Sequence, residues 1–573
     1  MDRRDFFEKI APPGLKRKRP VKDALNENDN SLPALSLTST LDPYVGAWTD
    51  AEAIHLLKRL TFGAPKEEVD YFATLSFTTA VDTLLNTLST PAARGLPVKT
   101  YTTNTVDTLP NDPDWGVPAG ATWVNTPTNS GSIESSRQDS LKVWWFDNII
   151  NQPRSIEEKM MLFWTTHFSI EFDTVTNARM DYQYLNLIRQ YALGNFKDFT
   201  KAITINPAML IYLNGYQNSK TAPDENYARE LQELFTLGKG PASQYTESDV
   251  QAASKVLTGY QVNGTTLTSF FTSSRHDTNP KQFSAFYNNQ VINRPLAADG
   301  PLEVDDLINM IFNQNEVALY MCRRLYRFFV YGNISTDVET NIIIPLANTF
   351  RTNNYNIKPV LDQLFKSEHF FDVLQFGAMI KGGVDFMAGL VRECKIKLPS
   401  KTNPLLYHRH ATYLVNTILV AQEQDLGDPP NVAGWSAYYQ DPTYDKNWIT
   451  TDTFSKRQAL INLLVNGGYS NSGFKTEFNA VEFTKRMTNP ADPNILVLDF
   501  NKYLLRRTLS QGLRDTIKQD ILLTGQTTDS YWTDAWNAYI NAPSNLNNYT
   551  VVNNRLKQLA MYFMSKLEEY QVM

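Results

Sequence analysis

Apolar residues recur with the 3.6-residue period of an α-helix through most of this chain, in runs bounded by capping residues and glycine stops, which restricts the fold to a helical assembly. The first run, Ile54, Leu56, Leu57 and Leu60, ends at Gly63 with Pro65 beyond it. Another runs to about Leu88, and Ser155 with Glu158 reads as a capping box opening a helix that reaches Phe168. The same period predicts helices over 178–192, 225–237 and 247–258, closed by Gly194, Gly238 and Gly259, the last opening on a second capping box at Thr246 and Asp249. Thr, Phe, Val and Asn dominate residues 261–300, where a short β-hairpin is expected. Helical spacing returns at 302–312, 315–330, 336–350, 357–367 and 403–421, and the chain closes on an amphipathic helix from about Asn553 to Tyr570.

The expected fold is therefore mainly α, a large multi-helix globular domain with minor β-hairpin content. Residues 1–43 read as a flexible leader, 44–466 as a helical core carrying a Thr-, Asn- and Pro-rich insertion at 91–136, and 467–573 as a helical extension packed on that core. With 573 residues and 42% apolar composition the chain has enough material for a sizeable core. The balance of 54 basic against 60 acidic residues gives a net charge of −6, so no overall attraction to nucleic acid is expected. No apolar run is long enough for a transmembrane helix. Two cysteines, Cys322 and Cys394, supply neither a disulfide framework nor a thiolate zinc site. Near the start, Arg3-Arg4-Asp5-Phe6-Phe7 has the look of a twin-arginine export signal, but Pro12, Pro13, Gly14 and the basic run Lys16 to Arg19 follow where an apolar segment belongs.

Several side chains are candidates for chemistry. On a helix, Asn226, Arg229, Glu230 and Glu233 form one polar stripe; Glu225–Arg229 and Arg229–Glu233 are equally readable as ordinary i,i+4 ion pairs. Met160, Phe163 and Trp164 place His167 on the apolar face of its helix, either as a core residue or on a pocket wall. His276 and Asp277 sit in the strand-like stretch and point to opposite faces if extended, so they are not expected to pair with each other. Two histidines and several carboxylates would suit a divalent metal such as zinc, iron or manganese, with His167, Glu230, Glu233 and His276 as the candidate ligands. Only Glu52 with His55 matches the Glu-x-x-His spacing of a di-metal bundle. In the Pro429-Pro430-Asn431-Val432-Ala433-Gly434-Trp435 turn, Trp435 is read as a core plug or, together with Asn431 and Asn226, as pocket wall. A Walker loop, Gly-x-Gly-x-x-Gly, His-Glu-x-x-His and Gly-x-Ser-x-Gly are all absent from the sequence.

Ten segments taken together resemble the bacterial family named domain of unknown function 1800. They are His55-Leu-Leu-x-Arg-x-Thr-Phe-Gly63, Glu158-Lys-Met-x-Leu-Phe-Trp-x-x-His-Phe168, Gly194-Asn-Phe196, Asn206-Pro-Ala-Met-Leu-x-Tyr-Leu213 and Glu225-Asn-Tyr-Ala-Arg-Glu-x-x-Glu-Leu-Phe-Thr-Leu-Gly238. Tyr245-Thr-Glu-x-Asp-Val250, Leu257-Thr-Gly259, His276-Asp277 with Lys281, Arg324-Leu-Tyr-Arg-Phe-Phe-Val330 and Pro430-Asn-Val-Ala-Gly-Trp435 complete the set. The resemblance implies a helical protein, often exported, frequently produced beside a sulfatase-like partner, with no established chemistry. It departs from the family at Asp224, where Asn is frequent, and at Ser284-Ala285, where Leu-Gly is frequent. Two functional readings stand at this point. One is an exported metal-dependent enzyme, a hydrolase or oxidoreductase. In it His167 and His276 bind metal or exchange protons, Glu230 and Glu233 serve as base or ligand, Arg229 holds an anionic group, and the His276-Asp277 loop closes the pocket. The other is a non-catalytic assembly, carrier or binding protein whose polar cluster is structural.

Overall fold

The computed structural model describes residues 39–101, 114 and 116–573. The leader with its Arg3-Arg4 pattern, except for its last few residues, and the middle of the 91–136 stretch lie outside them. The architecture is mainly α. The main helices are α1 (Asp50–Leu60), α2 (Gly131–Ile150), α3 (Glu157–His167), α4 (Ala178–Tyr191), α5 (Phe196–Thr204), α6 (Asn226–Glu230), α7 (Glu247–Val256), α8 (Gly300–Phe312) and α9 (Asn315–Phe329). They continue with α10 (Ile344–Thr352), α11 (Ile357–Phe365), α12 (Gly383–Glu393), α13 (Pro404–Thr412), α14 (Thr451–Asn462), α15 (Pro493–Leu504), α16 (Ser530–Asn541) and α17 (Leu546–Met561). The described β-structure is three antiparallel two-stranded pairs: β1 (Tyr260–Asn263) with β2 (Thr268–Phe271), β3 (Lys281–Gln282) with β4 (Val291–Ile292), and β5 (Tyr469–Asn471) with β6 (Phe474–Thr476). The first two pairs occupy the stretch where a hairpin was expected.

Local chemistry accounts for most boundaries. Thr49 and Glu52 cap α1 reciprocally, and Thr246 and Asp249 do the same for α7. The capping box expected at Ser155 and Glu158 does not form. Glu158 is buried and drawn to Arg189 of α4 at 2.5 Å, while the Ser155 hydroxyl bonds the Thr87 carbonyl and accepts from the Glu157 amide. A buried carboxylate gains more from a guanidinium than from one backbone amide, so the tertiary partner wins. Helix α2, twenty residues long, had no sequence signal because it is buried on nearly every side, Trp144, Trp145 and Phe146 included, and so carries no polar stripe. It begins inside the stretch read as insertion, and Trp123 from that stretch donates to Ser140 of α2 while Arg137 pairs with Asp114.

A continuous apolar core runs from Ala53 to Val572 and draws on both the 44–466 and 467–573 segments. Helix α2 packs on α4, α12 and α13, α3 packs on α4, and α9 packs on α10. Across the two segments, Arg486 pairs with Glu67, Lys502 with Asp50, and Arg506 donates to the Ala51 carbonyl. Val572 bridges to Ile380, and the Met573 amide donates to Met379. No described helix is long and apolar enough to cross a membrane.

Candidate functional site

Helix α3 carries His167 at its last position, fully among rings. Phe163 and the imidazole are parallel, Phe168 meets it edge-on at 4.6 Å, and Trp164, Phe196, Phe235 and Tyr320 lie within 6.4 Å. Burial, helped by the charge of Arg324, holds this imidazole well below its ordinary pKa, so the ring is neutral. Its Nε2 lies 3.0 Å from the Phe235 carbonyl, which fixes Nε2 as the protonated nitrogen and leaves Nδ1 without a partner.

The Phe235 carbonyl is free because of how α6 ends. From Leu231 to Thr236 the helix widens to a π turn, and the Leu237 amide returns to Gln232. The last carbonyls therefore need partners from elsewhere. His167 takes that of Phe235, and the Tyr320 hydroxyl takes that of Leu234 at 2.8 Å. Gly238 follows with φ of 77°, and a Cβ there would stand 2.6 Å from the Tyr320 ring, so only glycine lets α9 approach this closely. His167 is thus the terminating partner of the neighbouring helix.

The polar stripe of α6 lies apart from that ring. Arg229 is held by Glu225 at 3.1 Å and by both oxygens of Glu247 on α7, with Glu233 at 3.9 Å. Glu233 pairs with Lys239 at 2.6 Å, and Asn226 is exposed. Glu230 is half-buried without an ion pair or hydrogen bond to a described residue, and desolvation, then the nearby Glu233, raises its pKa.

His276 belongs to a third cluster, fully enclosed. Its Nδ1 faces the Thr258 carbonyl at 3.0 Å and its Nε2 faces Glu303 of α8 at 3.1 Å. Lys281 of β3 reaches the same carboxylate oxygen at 2.5 Å and also donates to the Asp277 carbonyl, while the Arg294 amide donates to the other oxygen. The Asp277 carboxylate turns away to accept from the amide and side chain of Asn279. His276 and Asp277 are not bonded to each other. The cluster ties the two β-pairs to α8, which explains Lys281 in the same motif.

The 430–438 turn closes over α3. Asn431 is exposed and folds its carboxamide back onto the Ala433 amide, and Gly434, with φ of 86°, lets the backbone pass so near α3 that a Cβ would lie 2.6 Å from the Thr166 carbonyl. Trp435 is buried in the core. Beyond it Tyr438 meets Phe328 of α9 at 5.1 Å, and there a small hollow, about 10 Å³ and so about one water in size, is lined by Lys159, Arg327, Asp385, Tyr438 and Asp445 among others. Lys159 and Asp385 form a buried ion pair across it.

The chosen metal donors His167, Glu230, Glu233 and His276 are therefore distributed over three places and do not meet. Among the described residues no three His, Cys, Asp or Glu side chains are gathered as a metal would require. The motifs nonetheless converge near α3: His167 meets Phe196, Tyr320 of α9 and the Phe235 carbonyl beyond α6, Phe163 meets Phe328 of α9, and Gly434 passes beside Thr166. The partners of His167 and His276 were invisible in the sequence because one is a backbone carbonyl and the other, Glu303, lies outside every motif. Arg324 and Arg327 did leave a signal, two guanidiniums at i,i+3 within an otherwise apolar motif.

The family model described as protein of unknown function (DUF1800) matches residues 55–572. The chain belongs to this family. No curated protein and no solved structure matches it. Within the DUF1800 framework the junction just described is where five of the quoted segments come into contact.

Proposed function

We propose that this DUF1800 protein is a binding or carrier protein of the non-catalytic class, whose polar clusters hold its helices in register. The observation that carries this reading is the separation of the two imidazoles. His167 is engaged with the end of α6 inside a ring of aromatics, His276 is engaged with Glu303, and Glu230 and Glu233 lie with neither. A metal-dependent enzyme built on those four residues needs every donor within about 2.0–2.2 Å of one ion. Arg229, the expected anion holder, is already neutralised by Glu225 and Glu247.

Elemental analysis of the purified full-length protein tests this. The expected result is zinc, iron and manganese well below one equivalent, unchanged by His276→Asn or His167→Phe. Near-stoichiometric metal that is lost in either variant, with helical circular dichroism retained, overturns the reading in favour of the enzyme. The protein partner on this reading is of the sulfatase-like kind implied by the family resemblance, and co-purification of the two chains is the expected outcome of co-expression.

A further inference from the structure

Six arginines are buried among the described residues, and five of them have at least one guanidinium nitrogen bonded to an oxygen of a described residue. Arg59 donates to the carbonyls of Val330 and Gln375, Arg137 pairs with Asp114, Arg189 with Glu157 and Glu158, Arg457 donates to Gln422 and the Lys381 carbonyl, and Arg506 to the Ala51 carbonyl. Arg324 is the exception. It is 8% exposed and has no hydrogen bond or ion pair to any described residue. None of its nitrogens is sealed from solvent, so the guanidinium end keeps the residue's remaining contact with water.

Its surroundings sharpen the contrast. The preceding Arg323 is neutralised by Glu316 and Glu339. One turn further along α9, Arg327 has an unbonded Nε and faces the Tyr444 ring at 5.1 Å, with no carboxylate in ion-pair range among the described residues. Across from Arg324 stands the neutral His167. Arginine does not shed its proton to escape burial, and like charges at i,i+3 repel. The Arg324 guanidinium thus keeps only a narrow contact with solvent and has no counter-charge among the described residues, and its forked donors match a carboxylate, sulfate or phosphate group.

We infer that Arg324 and Arg327 form a binding site for an oxyanion, the carboxylate, sulfate or phosphate group of a small ligand, where α3, α9 and the 430–438 turn meet. This deepens the binding-protein reading by naming the ligand class, and rests on it only in treating the site as non-catalytic.

Calorimetric titration of the full-length protein with inorganic phosphate, sulfate and acetate, each at constant ionic strength against chloride, tests the inference. Saturable one-site binding of at least one probe is expected. Arg324→Met should weaken it by about 10-fold or more, as loss of a charge-assisted hydrogen bond does. Arg327→Gln, at a half-buried position and so a safer variant for folding, should weaken it as well. Preference for acetate identifies a carboxylate ligand, and preference for phosphate or sulfate a tetrahedral one. Absence of saturable binding to all three probes, or binding unchanged in Arg327→Gln and in any folded Arg324→Met, overturns the site. Either result is independent of the metal content, so failure of this site leaves the binding-protein reading standing, and a stoichiometric metal would remove that reading without touching this site.

Discussion

Glu303 answers three groups at once inside the protein, His276, Lys281 and the Arg294 amide. Removing it leaves an ammonium buried without a counter-charge, a loss of about 3–5 kcal/mol. Glu303→Ala should therefore lower the unfolding free energy by about that amount in a urea titration, while Glu233→Ala, whose ion-pair partner Lys239 is exposed, should change it by less than about 1 kcal/mol. His369 gives a pH prediction with a definite sign. Burial lowers its pKa from 6.5 to about 4, against the opposing pull of Ser39 and Asp372. The folded state holds the neutral ring, so the contribution is intact above pH 6.5 and is lost as pH falls from 6.5 towards 4. Melting temperature followed across that window should fall less steeply in His369→Asn than in the native chain. At this scale the sequence was half legible. The spacing of Met160, Phe163 and Trp164 sufficed to bury His167, but a partner that is a backbone carbonyl has no residue type to betray it.

Between elements, the decisive contact is the join of α3 to the end of α6. His167→Phe preserves the aromatic packing and deletes the donor to Phe235, so the expected change is local: faster amide exchange over Leu231–Gly238 with helical content elsewhere unaltered. Uniform loss of protection throughout the chain would show that the ring, rather than its hydrogen bond, matters. Gly434→Ala is expected to act on the neighbouring join, lowering stability by about 1–3 kcal/mol through the left-handed backbone and the Thr166 carbonyl. Helices with one wet face, such as α7 and α9, were readable from their apolar stripes, whereas α2, buried on nearly every side, was not, because periodicity reports exposure as much as conformation; α3, buried all round, was read with the help of the Ser155–Glu158 pattern at its start. The π turn was equally silent, as Leu231 to Thr236 carries an ordinary helical pattern and widens only in response to its neighbours.

Across the whole molecule, residues 467–573 contribute side chains to the common apolar core. Arg457 of α14 is bonded to Gln571, Lys381 lies under the Tyr570 ring at 4.1 Å with its pKa lowered by burial to about 7, and Arg506 reaches α1. A chain ending at residue 466 should accordingly fail to show the cooperative thermal transition expected of the full chain, read by near-ultraviolet circular dichroism; a sharp transition in the truncated chain would count against this coupling. The overall class was written in the sequence, since helical periodicity recurs throughout. The assembly of distant segments into one site was not, because pairing across hundreds of residues leaves no local mark.

The bond from Arg506 to Ala51 spans 455 residues. At about 5–20 residues per second of synthesis, α1 leaves the ribosome on the order of 20–90 s before Arg506 exists. During that interval α1 can rest on the helices that follow it directly, Lys66–Ala73 and Phe77–Asn86, while the part of its surface that Arg506 closes stays open to water until translation is nearly finished.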